Sequence, residues 1–299
     1  MNSDDLQVFG HPLLLDVPEA TADWIRQRWP VPCTRSGARP IAISRSEVGW
    51  NEQLESFDCF AFESTIKAQL TPDGFALRLD GTLLHAELGN DVFRITLSGD
   101  MQLAQTLLWA AMSEVIRLGG LLPFHAAAVA NNGRCAVLMA PSKTGKSTTL
   151  VSAALAGYQP LAEDMLWIDP AALDVYGNDR EIRLWTDSLE RFGTQLPAAT
   201  RRLSDGKFVV PLEALPGYQP GSCKLHKFVV LRRDLSQPSA WVSVPELELV
   251  RTLWESGCVP ITIQARDLAQ SGISALCRKV PYSGLQIGAT SLDLTPLFA

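Results

Sequence analysis

The chain has no CxxC pair and no Cys/His cluster of metal-binding spacing; its six cysteines, Cys33, Cys59, Cys135, Cys223, Cys258 and Cys277, are scattered over 299 residues. A structural zinc is therefore not expected. The opening MNSDDLQVFG has neither a basic segment nor an apolar core, so the expectation is a cytoplasmic protein with reduced thiols. Basic residues are not in excess: 26 Lys and Arg against 32 Asp and Glu leave a net charge of −6. The basic pairs Arg201–Arg202 and Arg232 with Arg233 are short and lack interleaved aromatics, and no nucleic-acid partner is expected. Long apolar runs are also missing. The most apolar helical stretch, Met101–Leu118, carries Gln102, Gln105, Ser113, Glu114 and Arg117, while Leu103, Leu107, Leu108, Ala111, Val115 and Ile116 recur at helical spacing. That pattern lays a helix on a core and gives no reason to expect a membrane partner. There is no internal repeat and no low-complexity linker.

What is present is ordinary for a globular chain, with 46% hydrophobic and 19% charged residues. Residues 5–99 read as short apolar or alternating runs (LQVFG, IAISRSEV, FDCFAFES, GFALRLDG, TLLHAEL, VFRITLSG) with turn signals at Asp73, Gly74, Asp80 and Gly81; only residues 20–28 look helical there. Beyond them, strands are expected at 123–130, 134–139, 161–169 and 227–231. Helices are expected after Lys146 and near 186–192, 247–255 and 266–278. The expected organisation is a β-rich domain over 1–100, a surface for recognition or oligomerisation, followed by an α/β domain over 101–299 with a helix-covered sheet.

Residues 140–148 read APSKTGKST, of the form [AG]xxxxGK[ST]. Ala140, Pro141, Ser142, Lys143, Thr144, Gly145, Lys146, Ser147 and Thr148 would then form a loop that turns its backbone N–H groups onto a polyphosphate and passes the anion to a helix N-terminus. Gly145 allows the close approach, Lys146 would reach the β- and γ-phosphates, and the Ser147 hydroxyl stands where a Mg2+ ion needs an oxygen. The flanks fit: Cys135, Ala136, Val137, Leu138 and Met139 suit a buried strand, and Leu150, Ala153, Ala154 and Leu155 recur at helical spacing before a stop at Gly157. Ala140 replaces the usual first glycine.

Seventeen and eighteen residues after Lys146 come Glu163 and Asp164, in PLAEDMLWID. Alone, adjacent acids are more readily a polar turn between strands than a catalytic pair. Beside a phosphate loop they suit a metal ligand and an acceptor for the proton of an attacking hydroxyl. His125, fifteen residues before Ala140, taken alone is more readily a packed or hydrogen-bonded core histidine than a catalyst.

The succession HAAAVANNGRCAVLMAPSKTGKSTTL, the helix stop at Gly157 and the following AED resembles the kinase domain of the HPr kinase/phosphorylase family, over residues 121–169. The intervals from His125 to the loop, from Lys146 to Gly157 and from Lys146 to Asp164 match without gaps. The resemblance implies a phosphoenolpyruvate carboxykinase-like P-loop core, ATP and Mg2+, and an ATP-dependent kinase acting on a serine of a peptide or small protein. Asp164 takes the place of the proton acceptor, His125 of the active-site histidine, Lys146 of the phosphate-binding cation, and Ser147, Glu163 and Asp164 of the metal site. It also implies homo-oligomerisation. Glu163 stands where the family has an aspartate, and the arginine-containing PGRN-type segment is absent, so the reverse reaction is not expected; Lys207 and Lys224 are candidates for the missing cation. The chain is more similar to the stand-alone members, including those of lasso peptide biosynthesis, and Arg180 to Gly193 (REIRLWTDSLERFG) shares their character. A kinase for a small hydroxylated metabolite, a P-loop ATPase or regulator, and a nucleotide-binding scaffold remain open from the residues.

Overall fold

In a computed structural model, residues 6–29, 38–61, 64–196, 201–218 and 220–299 are described; residues 1–5, Cys33 and residues 62–63 of the expected FDCFAFES strand lie outside them. The fold is mixed α/β, with sheets of eight, nine and three strands among the described residues. Two compact units divide the chain, Met1–Leu122 with Cys258–Ser271, and Pro123–Gly257 with Gly272–Ala299.

The first unit contains β1 (Gln7–Val8), β2 (His11–Asp16), α1 (Glu19–Arg28), β3 (Ile41–Arg45), β4 (Ser56–Ala61), β5 (Ser64–Thr71), β6 (Gly74–Leu79), β7 (Thr82–Leu88), β8 (Phe93–Ser98) and α2 (Met101–Leu118). Its sheet runs β1-β2-β3-β8-β7-β6-β5-β4. Alternation sets its faces: Thr82, Leu84 and Ala86 of β7 and Phe93, Ile95 and Leu97 of β8 are buried, while their neighbours look outward. Asp80 and Gly81 both take positive φ (44° and 81°), the turn that matches the twist of a tight hairpin. The side chain of Asp100 caps α2 by accepting from the amides of Gln102 and Leu103 (2.8 and 3.2 Å). From Leu107 to Arg117 every residue of this helix except Ala110 is buried. Glu114 and Arg117, 0% and 1% exposed, pair at 2.5 Å. The second oxygen of Glu114 accepts from the amides of Ile261 and Thr262 and from the Thr262 hydroxyl, and Arg117 donates to the Cys258 carbonyl, so both buried charges are satisfied.

The second unit takes up β9 (Leu122–Phe124), β10 (Ala127–Asn131), β11 (Arg134–Met139), α3 (Lys146–Leu155), β12 (Gln159–Ala162), β13 (Leu166–Ile168), β14 (Asp174–Gly177), β15 (Glu181–Leu184), α4 (Thr186–Phe192), β16 (Arg201–Arg202), β17 (Phe208–Pro211), β18 (Ser222–Arg233), β19 (Ala240–Val242), α5 (Glu246–Ser256) and β20 (Tyr282–Ile287). A further helix, α6 (Ile263–Lys279), precedes β20. The main sheet runs β12-β10-β11-β18-β14-β13-β9, with β20 joined to β18 and β19 to β20. Its centre is parallel: β11 pairs with β18, and β18 with β20. Strand β11 ends directly at the loop before α3, whose Leu150, Val151, Ala153 and Ala154 bury against Ala127, Val129, Ala136 and Leu138. The small sheet runs β15-β17-β16. Two expected strands are interrupted. Residues 123–130 break at His125 and Ala126, where the His125 amide donates to the Ser256 carbonyl at 2.6 Å. Residues 161–169 break at Glu163, Asp164 and Met165.

Candidate functional site

Residues 140–145 run from the end of β11 to the start of α3. Ala140 is buried, Pro141, Ser142 and Lys143 are exposed, and Thr144, Gly145, Ser147 and Thr148 are half-buried. Gly145 takes φ 114°, and a Cβ there would meet the Ile287 methyl at 3.0 Å, so both backbone and space call for glycine. No side chain caps α3. Its first amides therefore keep the partial positive charge of an uncapped helix start.

Lys146 is only 7% exposed, and its ammonium donates to the Ala140 carbonyl (2.9 Å) and to His125 Nε2 (3.0 Å). An ammonium can only donate, so Nε2 is the acceptor and the other ring nitrogen carries the hydrogen. That nitrogen, Nδ1, lies 3.0 Å from Asp164 Oδ1. Lys146, His125 and Asp164 thus form one line. Beside it, the Ser147 hydroxyl donates to Glu163 Oε1. Thr148 shares a 3.1 Å hydrogen bond with Ser188 at the start of α4.

The two adjacent acids differ in their surroundings. Glu163 is 5% exposed, and burial, reinforced by the charges of Asp164 and Asp179, pushes its carboxyl up to about 8. Burial would raise Asp164 too, but its hydrogen bond to His125 and the charges of Arg183 and Lys146 outweigh that and hold it below the ordinary value. Burial lowers the Lys146 ammonium against the opposing pull of Asp164 and Glu163. The pair therefore offers one protonated and one ionised acid near neutral pH, side by side.

The two candidate cations stand apart. Lys224 pairs with Asp174 at 2.7 Å and lies level with Arg134, at the start of β11; the loop follows Met139, about 16 Å further along at the usual rise per residue. Lys207, in the turn before β17, pairs with Asp205 at 3.2 Å, and its charge is felt by Lys146. Lys207 and Lys143 both approach the half-exposed ring of Trp185, at 5.3 and 5.9 Å from its centroid.

Three further residues belong to the neighbourhood: the sequence offered Arg233 only as half of a basic pair, Arg183 only within the segment 180–193, and Asp179 not at all. Arg183 of β15 adds positive charge to both acids. Arg233 donates to the Lys143 carbonyl at 3.4 Å. Asp179 accepts, on its Oδ2, the amide hydrogens of Glu163, Asp164 and Met165 at 2.9, 2.8 and 2.8 Å. None follows a local pattern; each reaches the site from a separate strand or turn.

The donor set suits the ligand the loop suggests. Magnesium takes hard oxygens and keeps several waters and phosphate oxygens, so it needs few protein ligands; Ser147, Glu163 and Asp164 supply a hydroxyl and two carboxyls. Among the described residues no cluster of three or more His, Cys, Asp or Glu side chains forms a self-sufficient metal cage. No described helix is long and apolar enough to cross a membrane.

No protein-family model and no curated protein matches the chain. Among solved structures it is similar to the Hpr(Ser) kinase/phosphatase from Coxiella burnetii, at 13% identity and a TM-score of 0.24, over 52% of this chain and 88% of that one. A likeness of that strength carries neither fold nor activity across.

Proposed function

We propose that the site binds MgATP and transfers its γ-phosphoryl group to a serine hydroxyl of a peptide or small protein. The observation that carries the reading is the hydrogen-bonded line Lys146–His125–Asp164 at the foot of an uncapped helix, with Ser147 and Glu163 against it. The loop amides and Lys146 would hold the phosphates, and Ser147, Glu163 and Asp164 the metal. MgATP, when bound, supplies the phosphoryl group and the metal charge that offsets the phosphates.

The residues of the chain do the rest. Asp164 is the acid held ionised, and its side chain is 39% exposed, so an incoming hydroxyl can reach it. It takes the proton of the attacking serine as that oxygen turns to phosphorus. His125, donating through Nδ1, fixes the orientation of the Asp164 carboxylate, and its Nε2 fixes the Lys146 ammonium, so one ring sets the spacing of base and cation. Positioning and charge supply most of the acceleration in such a transfer. Lasso-type precursor peptides ending near a serine are the acceptors to try first.

The test is ADP formation by the full chain with and without Mg2+, in the presence and absence of serine peptides. Acceptor-dependent ADP supports a kinase; ADP formed equally without acceptor supports an ATPase, and nucleotide bound without turnover a scaffold.

A further inference from the structure

Adjacent residues on a strand point to opposite faces of the sheet, so two neighbouring acids on a continuous strand cannot both serve one site. Yet Glu163 meets Ser147 and Asp164 meets His125. The strand is broken between Ala162 and Leu166, and the amides freed by the break, those of Glu163, Asp164 and Met165, all converge on one oxygen of Asp179. Three successive N–H groups gathered on one centre form an anion nest, and here a carboxylate from the far side of the β14–β15 connection fills it. We propose that Asp179 is the positioning residue of the site, holding the turn from which both Glu163 and Asp164 reach the reacting groups. This rests on the phosphotransfer reading of those acids.

The mechanism follows from the bonds. Asp179 touches neither the loop nor His125 through any hydrogen bond described here; its Oδ2 bonds go to the turn. Its removal should therefore leave nucleotide binding by the loop in place while the acids lose their placement. A misplacement of about 1 Å costs on the order of 10²-fold in rate. Asn178 is a matched control: it is the preceding residue, 8% exposed, and its Nδ2 has no hydrogen-bond partner among the described residues.

The experiment compares the full-length wild type, Asp179→Asn, Asp179→Ala and Asn178→Ala. It measures kcat and KM for MgATP with serine peptides present, and amide hydrogen exchange of peptides spanning 163–165. Asp179→Ala should lose about 10²-fold in kcat with KM for MgATP within about threefold, and exchange at 163–165 should quicken while α3 is unchanged; Asp179→Asn, whose amide oxygen still accepts, should lose less. Asn178→Ala should keep wild-type kcat. Wild-type kcat in folded Asp179→Ala, or an equal loss in Asn178→Ala, overturns the positioning role. If the wild type itself makes no ADP, the phosphotransfer reading falls, and exchange decides alone: quickening confined to 163–165 in Asp179→Ala supports the hold on the turn, and unaltered exchange overturns it.

Discussion

His125 Nδ1 stands 3.0 Å from Asp164 Oδ1, and this contact joins the segment before the loop to the segment after it. The ring also accepts from Lys146, so the histidine is held from both sides and its tautomer is fixed by its neighbours. A carboxylate, a cation and the ring between them are thereby assembled from positions 164, 146 and 125.

Replacing Asp164 by asparagine keeps shape and removes the proton acceptor. Turnover should fall about 10²- to 10⁴-fold, the usual contribution of a general base, while nucleotide affinity stays within a few-fold. Rapid-mixing kinetics beside equilibrium binding of a fluorescent ATP analogue separates the two; turnover at the wild-type level would remove Asp164 from the mechanism.

His125→Ala should lower kcat while costing less than about 1 kcal/mol of stability, because both partners of the His125–Asp164 pair are more than a third exposed and solvent screens them. Full turnover with only a lower melting temperature would make the histidine a packing residue.

The pH dependence of stability without metal has a definite sign. The Glu163 carboxyl is raised from 4.5 to about 8 on folding, so its contribution is fully present below 4.5 and is lost as pH rises through about 8. Asp164 is lowered, and its contribution is lost only as pH falls below the ordinary aspartate range. Urea unfolding between pH 5 and 8.5 should show a decline in the wild type that exceeds about 1 kcal/mol and flattens in Glu163→Gln. Parallel curves for the two proteins would contradict the burial of a protonated acid.

Glu114 and Arg117 give a prediction for the first unit. Glu114→Ala leaves a guanidinium buried beside three donors that have lost their acceptor, and should cost about 3–5 kcal/mol. Thermal unfolding followed by circular dichroism measures it; a change under about 0.5 kcal/mol would mean that water replaces the carboxylate there.

How much of this the sequence disclosed depended on distance along the chain. Helix α2 was legible to the residue, since its apolar spacing and the Asp100 cap are local. The same spacing hid Glu114 and Arg117, polar letters that read as a solvated face but are enclosed by the segment around Cys258 and Thr262. Within residues 161–169 the adjacent Glu163 and Asp164 already suited the end of one strand and the start of another; what accepts the three amides freed there, Asp179, lies fifteen residues beyond Asp164 in another connection. Likewise, residues 5–99 announced strands but not their order, in which β3 lies parallel to both β2 and β8. Loop, lysine and acids were visible as letters at fixed intervals, whereas the placement of Arg183 and Arg233 beside them and the separation of Lys207 from Lys224 needed the sheet.

Transfer of label from γ-labelled ATP to serine-containing peptides, with Asp164→Asn alongside, bears on the proposed chemistry most directly. Mg2+-dependent label on a peptide serine, lost in the variant, is the expected result. Label that appears only as free phosphate, or that transfers equally well without Asp164, would contradict it.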